Sequence, residues 1–367
     1  MTDKYCPRIH HGLTLSDISD TGITYAACCW AQESINEANL LKFNHPTLVK
    51  LREENASGSL PQTYCKTCIT QEHSDKKSMR QGYLETHGAE TYDDTIQYLD
   101  INIDYTCNLA CVTCGPDLST TWRNELKLPG RQVRPNLEQF FNNHIKTLDL
   151  THLKEVRVWG GEPLLTNTHV KILELIIEQG NAANVKLMYN TNGTKRIDEK
   201  IKKLIEQFKF ARISFSIDEI GDQFEYLRYP AKWNKVEENL LWWKDNLPHN
   251  SMLSFTVTAS VLNVLTLDNV YNWWSKNFTK SIFGDDIEIY THQAFGIYGL
   301  ESMPVEMISR LQSIDNYCQP WIQSLKTSGS ADNIKKINDT LRANDIRRGQ
   351  NFALVFPDAA SFLGYQK

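Results

Sequence analysis

Between about residue 96 and residue 300 this 367-residue chain repeats one device. A short run of β-branched and aromatic residues is followed by a turn and then by a longer stretch with helical apolar spacing. The strand runs are Ile96–Ile103, Glu155–Trp159, Val185–Tyr189, Arg212–Ile217, Leu253–Ser260 and Ile287–Ile289. Between them lie helical stretches at Leu118–Leu126, Asn167–Gln179, Asp198–Gln207, Val236–Asp245 and Leu267–Asn277. Strands joined through helices pair in parallel, because the helix provides the crossover. Six of them predict an α/β fold with an incomplete parallel barrel, whose chemistry belongs at the carboxyl ends of the strands.

The flanks have a different texture. Residues 1–95 are polar and rich in turn signals such as Ser19-Asp20-Thr21-Gly22, with one amphipathic helix expected over Pro46 to Glu54. Residues 304 to 345 read as helical, with Met307, Leu311, Trp321, Ile322 and Leu325 on their apolar faces. Three regions are therefore expected: 1–95, 96–300 and 301–367, the last a mainly helical extension. With 41% apolar and 23% charged residues a sizeable core can be buried. A formal net charge of -5 argues against a protein that lives on bulk attraction to phosphate. No apolar run approaches the roughly 20 residues that span a bilayer. Met1 to Cys6 lack a basic stretch followed by an apolar one, so no secretory signal and a cytoplasmic location are expected.

Nine cysteines then need a purpose, because reducing compartments do not use disulfides as staples. Eight fall in the first third: Cys6, Cys28, Cys29, Cys65, Cys68, Cys107, Cys111 and Cys114; Cys318 stands apart in a predicted helix as a buried thiol. Such clustering points to metal ligation. Cys107, Cys111 and Cys114, spaced Cys-x3-Cys-x2-Cys, follow the first barrel strand. Three thiolates can hold three irons of a [4Fe–4S] cluster and leave the fourth open to an external chelate. A zinc knuckle is the alternative, but zinc usually takes a fourth Cys or His nearby, and none follows Cys114 closely.

One βα unit later the chain reads Val158-Trp159-Gly160-Gly161-Glu162-Pro163, also a plausible strand-ending turn. The triplet followed by Gly-Gly-Glu-Pro resembles the radical S-adenosylmethionine (radical SAM) superfamily. The resemblance implies a [4Fe–4S] cluster on Cys107, Cys111 and Cys114 that binds SAM through its open iron. One electron would split SAM into methionine and a 5′-deoxyadenosyl radical, which would abstract a substrate hydrogen atom. A flavodoxin or ferredoxin would supply the electron. Gly160, Gly161 and Glu162 would receive the SAM ammonium, Asn192 would end the next strand, and Ser216 and Asp218 would face the ribose. Arg228 is a candidate for the SAM carboxylate; its alternative is a surface salt bridge with Glu225 or Asp222. Asn263 resembles a strand-end Asn of relatives. Where relatives commonly carry an aromatic residue before the third cysteine, this chain has Thr113, leaving Tyr105 or Trp159 as candidate rings.

The amino-terminal thiols are similar to the Twitch or SPASM modules of such enzymes, here placed ahead of the barrel. The resemblance implies an auxiliary [4Fe–4S] cluster on Cys6, Cys28, Cys65 and Cys68, with Cys29 the alternative to Cys28 because the spacing from Gly22 is one residue longer than usual. A structural zinc on the same four ligands is the competing reading. Relatives with this module often modify peptides, so a peptide or protein side chain is the expected substrate. Nucleotide or nucleic-acid modification is the alternative; it predicts a basic groove, for which Arg342, Arg347 and Arg348 are the densest cluster in the tail. A non-catalytic, zinc-stabilised binding module would leave Gly160–Pro163 unexplained.

Overall fold

The computed structural model describes residues 4–19, 22–37, 41–73, 77–88, 93–102, 105–129, 138, 141–278, 288–313 and 329–366. Cys318, Trp321, Ile322 and Leu325 lie outside these described residues. One sheet organises them. Its strands are β1 (Gly12–Ser19), β2 (Gly22–Ala26), β3 (Ile35–Glu37), β4 (Tyr98–Ile101), β5 (Glu155–Val158), β6 (Lys186–Thr191), β7 (Phe210–Ser216), β8 (Ser251–Ala259) and β9 (Glu288–Gln293). Their order is β3-β2-β1-β4-β5-β6-β7-β8-β9. The β1–β4 pair and the successive pairs from β4 to β9 are parallel, whereas β1–β2 and β2–β3 are antiparallel. The fold is α/β, and its open parallel array is a partial barrel. The six expected strands are β4 to β9. The three others were hidden in the polar amino-terminal stretch, and they extend the same sheet across the expected boundary at residues 95/96.

The helices are α1 (Pro7–His11), α2 (Pro46–Ala56), α3 (Lys66–His73), α4 (Met79–His87), α5 (Thr120–Glu125), α6 (Thr168–Glu178), α7 (Glu199–Ile205), α8 (Gly221–Leu227), α9 (Trp233–Asn246) and α10 (Asp268–Asn277). The carboxyl-terminal ones are α11 (Val305–Gln312), α12 (Ala331–Arg348), α13 (Phe352–Val355) and α14 (Pro357–Phe362). Alternation along the strands decides what each sheet face carries. Leu13, Leu99, Val156, Leu187, Ala211 and their neighbours two residues on are buried in one core with Ile172 and Ile176 of α6 and Leu240 and Trp243 of α9. Each such Leu, Ile or Val contributes about 1.5–3 kcal/mol on burial. The residues between them form a different row, Thr14, Asp100, Arg157, Met188, Arg212 and Met252, in register across β1, β4, β5, β6, β7 and β8.

A second core joins α8 and α10 to the tail. Asp345 of α12 accepts from Tyr226 Oη (2.9 Å), Tyr365 Oη (2.6 Å) and the Phe352 amide (2.8 Å), and Phe352 and Phe356 are buried around Tyr226. The tail aromatics are thus core packing. Among the described residues no helix is long and apolar enough to cross a membrane.

Candidate functional site

The cysteine triplet occupies the loop between β4 and α5, at the carboxyl end of its strand. Distant backbone holds it. The Ala110 amide donates to Tyr229 O (2.6 Å) and the Val112 amide to Leu227 O (2.8 Å). Trp122 Nε1 donates to Cys111 O (2.8 Å), and the hydroxyls of Thr120 and Thr121 donate to Cys107 O (3.1 and 2.6 Å). Burial raises the Cys107 thiol, pushes Cys111 up to about 12 and Cys114 up to about 11. The thiols also raise one another, while Arg228 opposes the rise at each. Three soft sulfur donors beside a buried cation suit an iron–sulfur group, which the thiolate form ligates.

The turn after β5 is pressed onto this loop. The Glu162 amide donates to Thr106 O (2.7 Å). A Cβ on Gly161 would stand 2.3 Å from Thr106 O and 2.7 Å from the Tyr105 carbonyl carbon, so only glycine fits. Glu162 is buried, and its carboxylate accepts from the Leu164 amide (3.1 Å), Thr191 Oγ1 (2.9 Å) and the Asn192 amide (2.6 Å). Burial raises its carboxyl above the usual range, against the pull of these three bonds. Sequence reasoning cast Glu162 as an acceptor for a ligand ammonium; the geometry makes it first a strut between β5 and β6. Asn192 Nδ2 in turn donates to Asn108 Oδ1 (2.9 Å), so three strand-end turns are joined by direct hydrogen bonds.

At the end of β7, Ser216 is half-buried, and buried Asp218 accepts from the Thr258 amide (2.8 Å). Arg228 meets neither Glu225 nor Asp222: it is buried and paired with Asp218 at 2.9 Å, with Nε left without a hydrogen-bond partner. Asn263 closes its own turn. Its Nδ2 donates to Asp218 O (3.0 Å) and Thr258 O (3.1 Å), and its Oδ1 accepts from the amide and hydroxyl of Ser260 (both 2.8 Å). An amide with all four positions filled has none to offer a nucleotide.

The amino-terminal thiols meet at a second place. Cys6, Cys28, Cys65 and Cys68 line one cavity together with Tyr64 and Arg80. Cys6 leads into α1, Cys28 follows β2, and Cys65 and Cys68 lie at the start of α3. Burial pushes the Cys6 thiol up to about 11 and raises Cys65 and Cys68. A hydrogen bond from Cys29, aided by Arg8, lowers the Cys28 thiol. Cys29 itself faces Arg157 Nη2 at 3.1 Å and does not line the cavity. Sequence reasoning missed Arg80, whose guanidinium grips Glu72 of α3 (2.9 and 2.7 Å) and donates to Tyr5 O (3.1 Å), so that it ties the Cys6 and Cys68 segments together.

The tail arginines are ion-paired. Arg347 and Arg348 both pair with Glu125 (2.8 and 2.9 Å), and Arg342 pairs with Asp339 (3.2 Å).

Residues 101–270 match the model of the Radical SAM superfamily. Among curated proteins, the GTP 3′,8-cyclases of Desulforamulus reducens and Campylobacter lari are similar, at 27% identity over 148 residues and 26% over 164 residues. Each match covers 40% of this chain, and 42% and 49% of the relatives' own lengths, so the chain spans less than half of each. Among solved structures, native anSMEcpe with bound AdoMet has a TM-score of 0.39 at 16% identity, over 70% of this chain and 62% of that one. Streptococcus suis SuiB bound to S-adenosylmethionine has a TM-score of 0.40 at 10% identity, over 94% and 74%.

Proposed function

We propose that the chain is a radical SAM enzyme whose cluster is held by Cys107, Cys111 and Cys114 and whose amino-terminal cavity holds an auxiliary cluster on Cys6, Cys28, Cys65 and Cys68. The observation that carries this reading is the union of the three-thiol loop, the Gly160–Pro163 turn and Asn192 through the bonds of Thr106, Glu162 and Asn108. When bound, the cluster and SAM supply one-electron cleavage of the sulfonium to a 5′-deoxyadenosyl radical that takes a substrate hydrogen atom. The chain's own part is placement. Glu162 and Gly161 fix the turn that would meet the SAM ammonium, with Gly160 carbonyl and Asn192 beside it. Arg228, anchored by Asp218, offers Nε toward a carboxylate and a counter-charge to the thiolates. Ser216 stands at the strand end for the ribose. A flavodoxin- or ferredoxin-type protein is the expected reductant.

The leading substrate is a peptide or protein side chain, a reading supported by the four-thiol cavity's likeness to auxiliary-cluster modules. The alternative is a nucleotide, and the similarity to GTP 3′,8-cyclases favours it. Anaerobic reconstitution with iron and sulfide, followed by dithionite and SAM, tests the core of this proposal. The expected result is 5′-deoxyadenosine from the parent and none from Cys107→Ala/Cys111→Ala/Cys114→Ala, which keeps about half its iron. Cys65→Ala/Cys68→Ala should also keep about half. Undiminished 5′-deoxyadenosine from the triple variant overturns the assignment. Stimulation of turnover by GTP rather than by peptide would decide for the nucleotide.

A further inference from the structure

Arg348 stands in the last turn of α12, and its side chain is only 1% exposed. Nη2 donates to Ala110 O (2.9 Å), between Cys107 and Cys111, from 238 residues away in sequence. Nε donates to both carboxylate oxygens of Glu125 (2.9 and 3.2 Å), the residue that ends α5 just after the three-thiol loop. The guanidinium carbon lies 4.5 Å from the Trp122 ring centre and 4.8 Å from that of Tyr229. A planar, delocalised cation serves a carboxylate, a carbonyl and ring faces together, which a lysine ammonium does not.

Its partners are the groups that shape the loop. Trp122 Nε1 holds Cys111 O, and Tyr229 O holds the Ala110 amide, so both backbone groups of buried Ala110 are taken by distant parts of the chain. The tail helix is itself held firmly. Asp345, one turn before Arg348, accepts from Tyr226 of α8, the helix that ends at Leu227. Gln350 Nε2 donates to Glu225 O of the same helix (3.4 Å). Helix α12 thus grips the cysteine loop and the segment that supplies the loop's carbonyl partners as one block. Charge-assisted bonds away from water are the strong ones in such a block.

We propose that Arg348 is a positioning residue of the three-thiol loop: through it the carboxyl-terminal helix α12 holds Cys107, Cys111 and Cys114 in their ligating arrangement before any metal group arrives. This deepens the reading above, which assigns what the loop holds. Thiol alkylation of the reduced, full-length apo protein tests it, with the rate at each cysteine read by mass spectrometry. A buried thiol reacts only when its segment opens, and the bonds of Arg348 oppose that opening. Arg348→Gln should speed labelling of Cys107, Cys111 and Cys114 by about tenfold, while Cys6, Cys65 and Cys68 keep the parent rate. Those amino-terminal thiols report the fold within the same molecule; a residue that merely stabilised the chain would speed both sets alike. Where Arg348→Gln does not fold, Glu125→Gln takes its place, since it removes the counter-ion of Arg348 and leaves the α12 core intact, and the same selectivity is expected. Unchanged rates, or equal acceleration of both sets, overturns the proposal. The readout needs no cluster, so that result leaves the cluster assignment to its own test, and absence of 5′-deoxyadenosine from the parent leaves this one standing.

Discussion

The Glu162 carboxylate accepts three protein hydrogen bonds, and this gives it a structural signature separate from any ligand. Glu162→Gln places an amide donor against the donors of Thr191 and Asn192. It should lower stability by about 1–3 kcal/mol in urea titration of the apo protein; a residue that only meets a ligand would leave the midpoint unmoved. Much at this scale was readable from the chain. Gly160–Pro163 announces a close backbone approach, and Gly161 against Thr106 is that approach. The partner of Arg228 was not readable, because Asp218 lies outside its helix and proximity along the chain favoured Glu225 and Asp222. The hydrogen bonds of Asn263 were hidden for a related reason: a strand-end amide looks the same in sequence whether it faces a ligand or closes its own turn. Neighbouring Cys28 and Cys29 differ only in which way the chain points them, into the cavity or toward Arg157.

Elements β4 to β9 and helices α5, α6, α7, α9 and α10 announced themselves through local period, whereas α8, between β7 and β8, did not. The amino-terminal strands did not, because β1 (Gly-Leu-Thr-Leu-Ser-Asp-Ile-Ser) mixes polar residues and turn formers with its two buried leucines. Helices α3 and α4 were missed as well; the capping box of Ser78 and Gln81 was the available signal for the second. Where β1, β4 and β5 meet, Asp100 ties them together. Burial pushes its carboxyl up, but Arg157 and Arg8 outweigh that and hold it down at about 2. A carboxyl depressed from 3.8 to about 2 contributes stability that is present above pH 4 and is lost as pH falls through 2, roughly 2 kcal/mol in all. Acid titration of the apo protein by circular dichroism should show this loss between about pH 4 and pH 2. Asp100→Asn, already lacking that contribution, should unfold at lower denaturant at neutral pH and show a flatter acid limb.

On the scale of the whole molecule, composition and βα alternation made the α/β class and the open barrel legible, since both follow from local pattern. The continuity of the sheet did not, because β1–β4 pairing joins segments far apart in sequence. That pairing covers the edge of β4, so the amino-terminal region is the barrel's flank as well as a cysteine carrier. Deleting residues 1–95 would bare a buried strand edge and Leu99 and Ile101, the partners of Leu13 and Leu15. Residues 96–367 alone should therefore aggregate on expression, and size-exclusion chromatography will read it; a soluble monomeric barrel would show the regions to be separable. The bonds from Ala110 and Val112 to Tyr229 and Leu227 have their own consequence for biogenesis. On a growing nascent chain the first thiols emerge long before the carbonyls that shape their loop. On the proposed assignment, iron insertion at Cys107, Cys111 and Cys114 would wait for translation to pass α8, with the sulfurs exposed to scavenging oxidants until then.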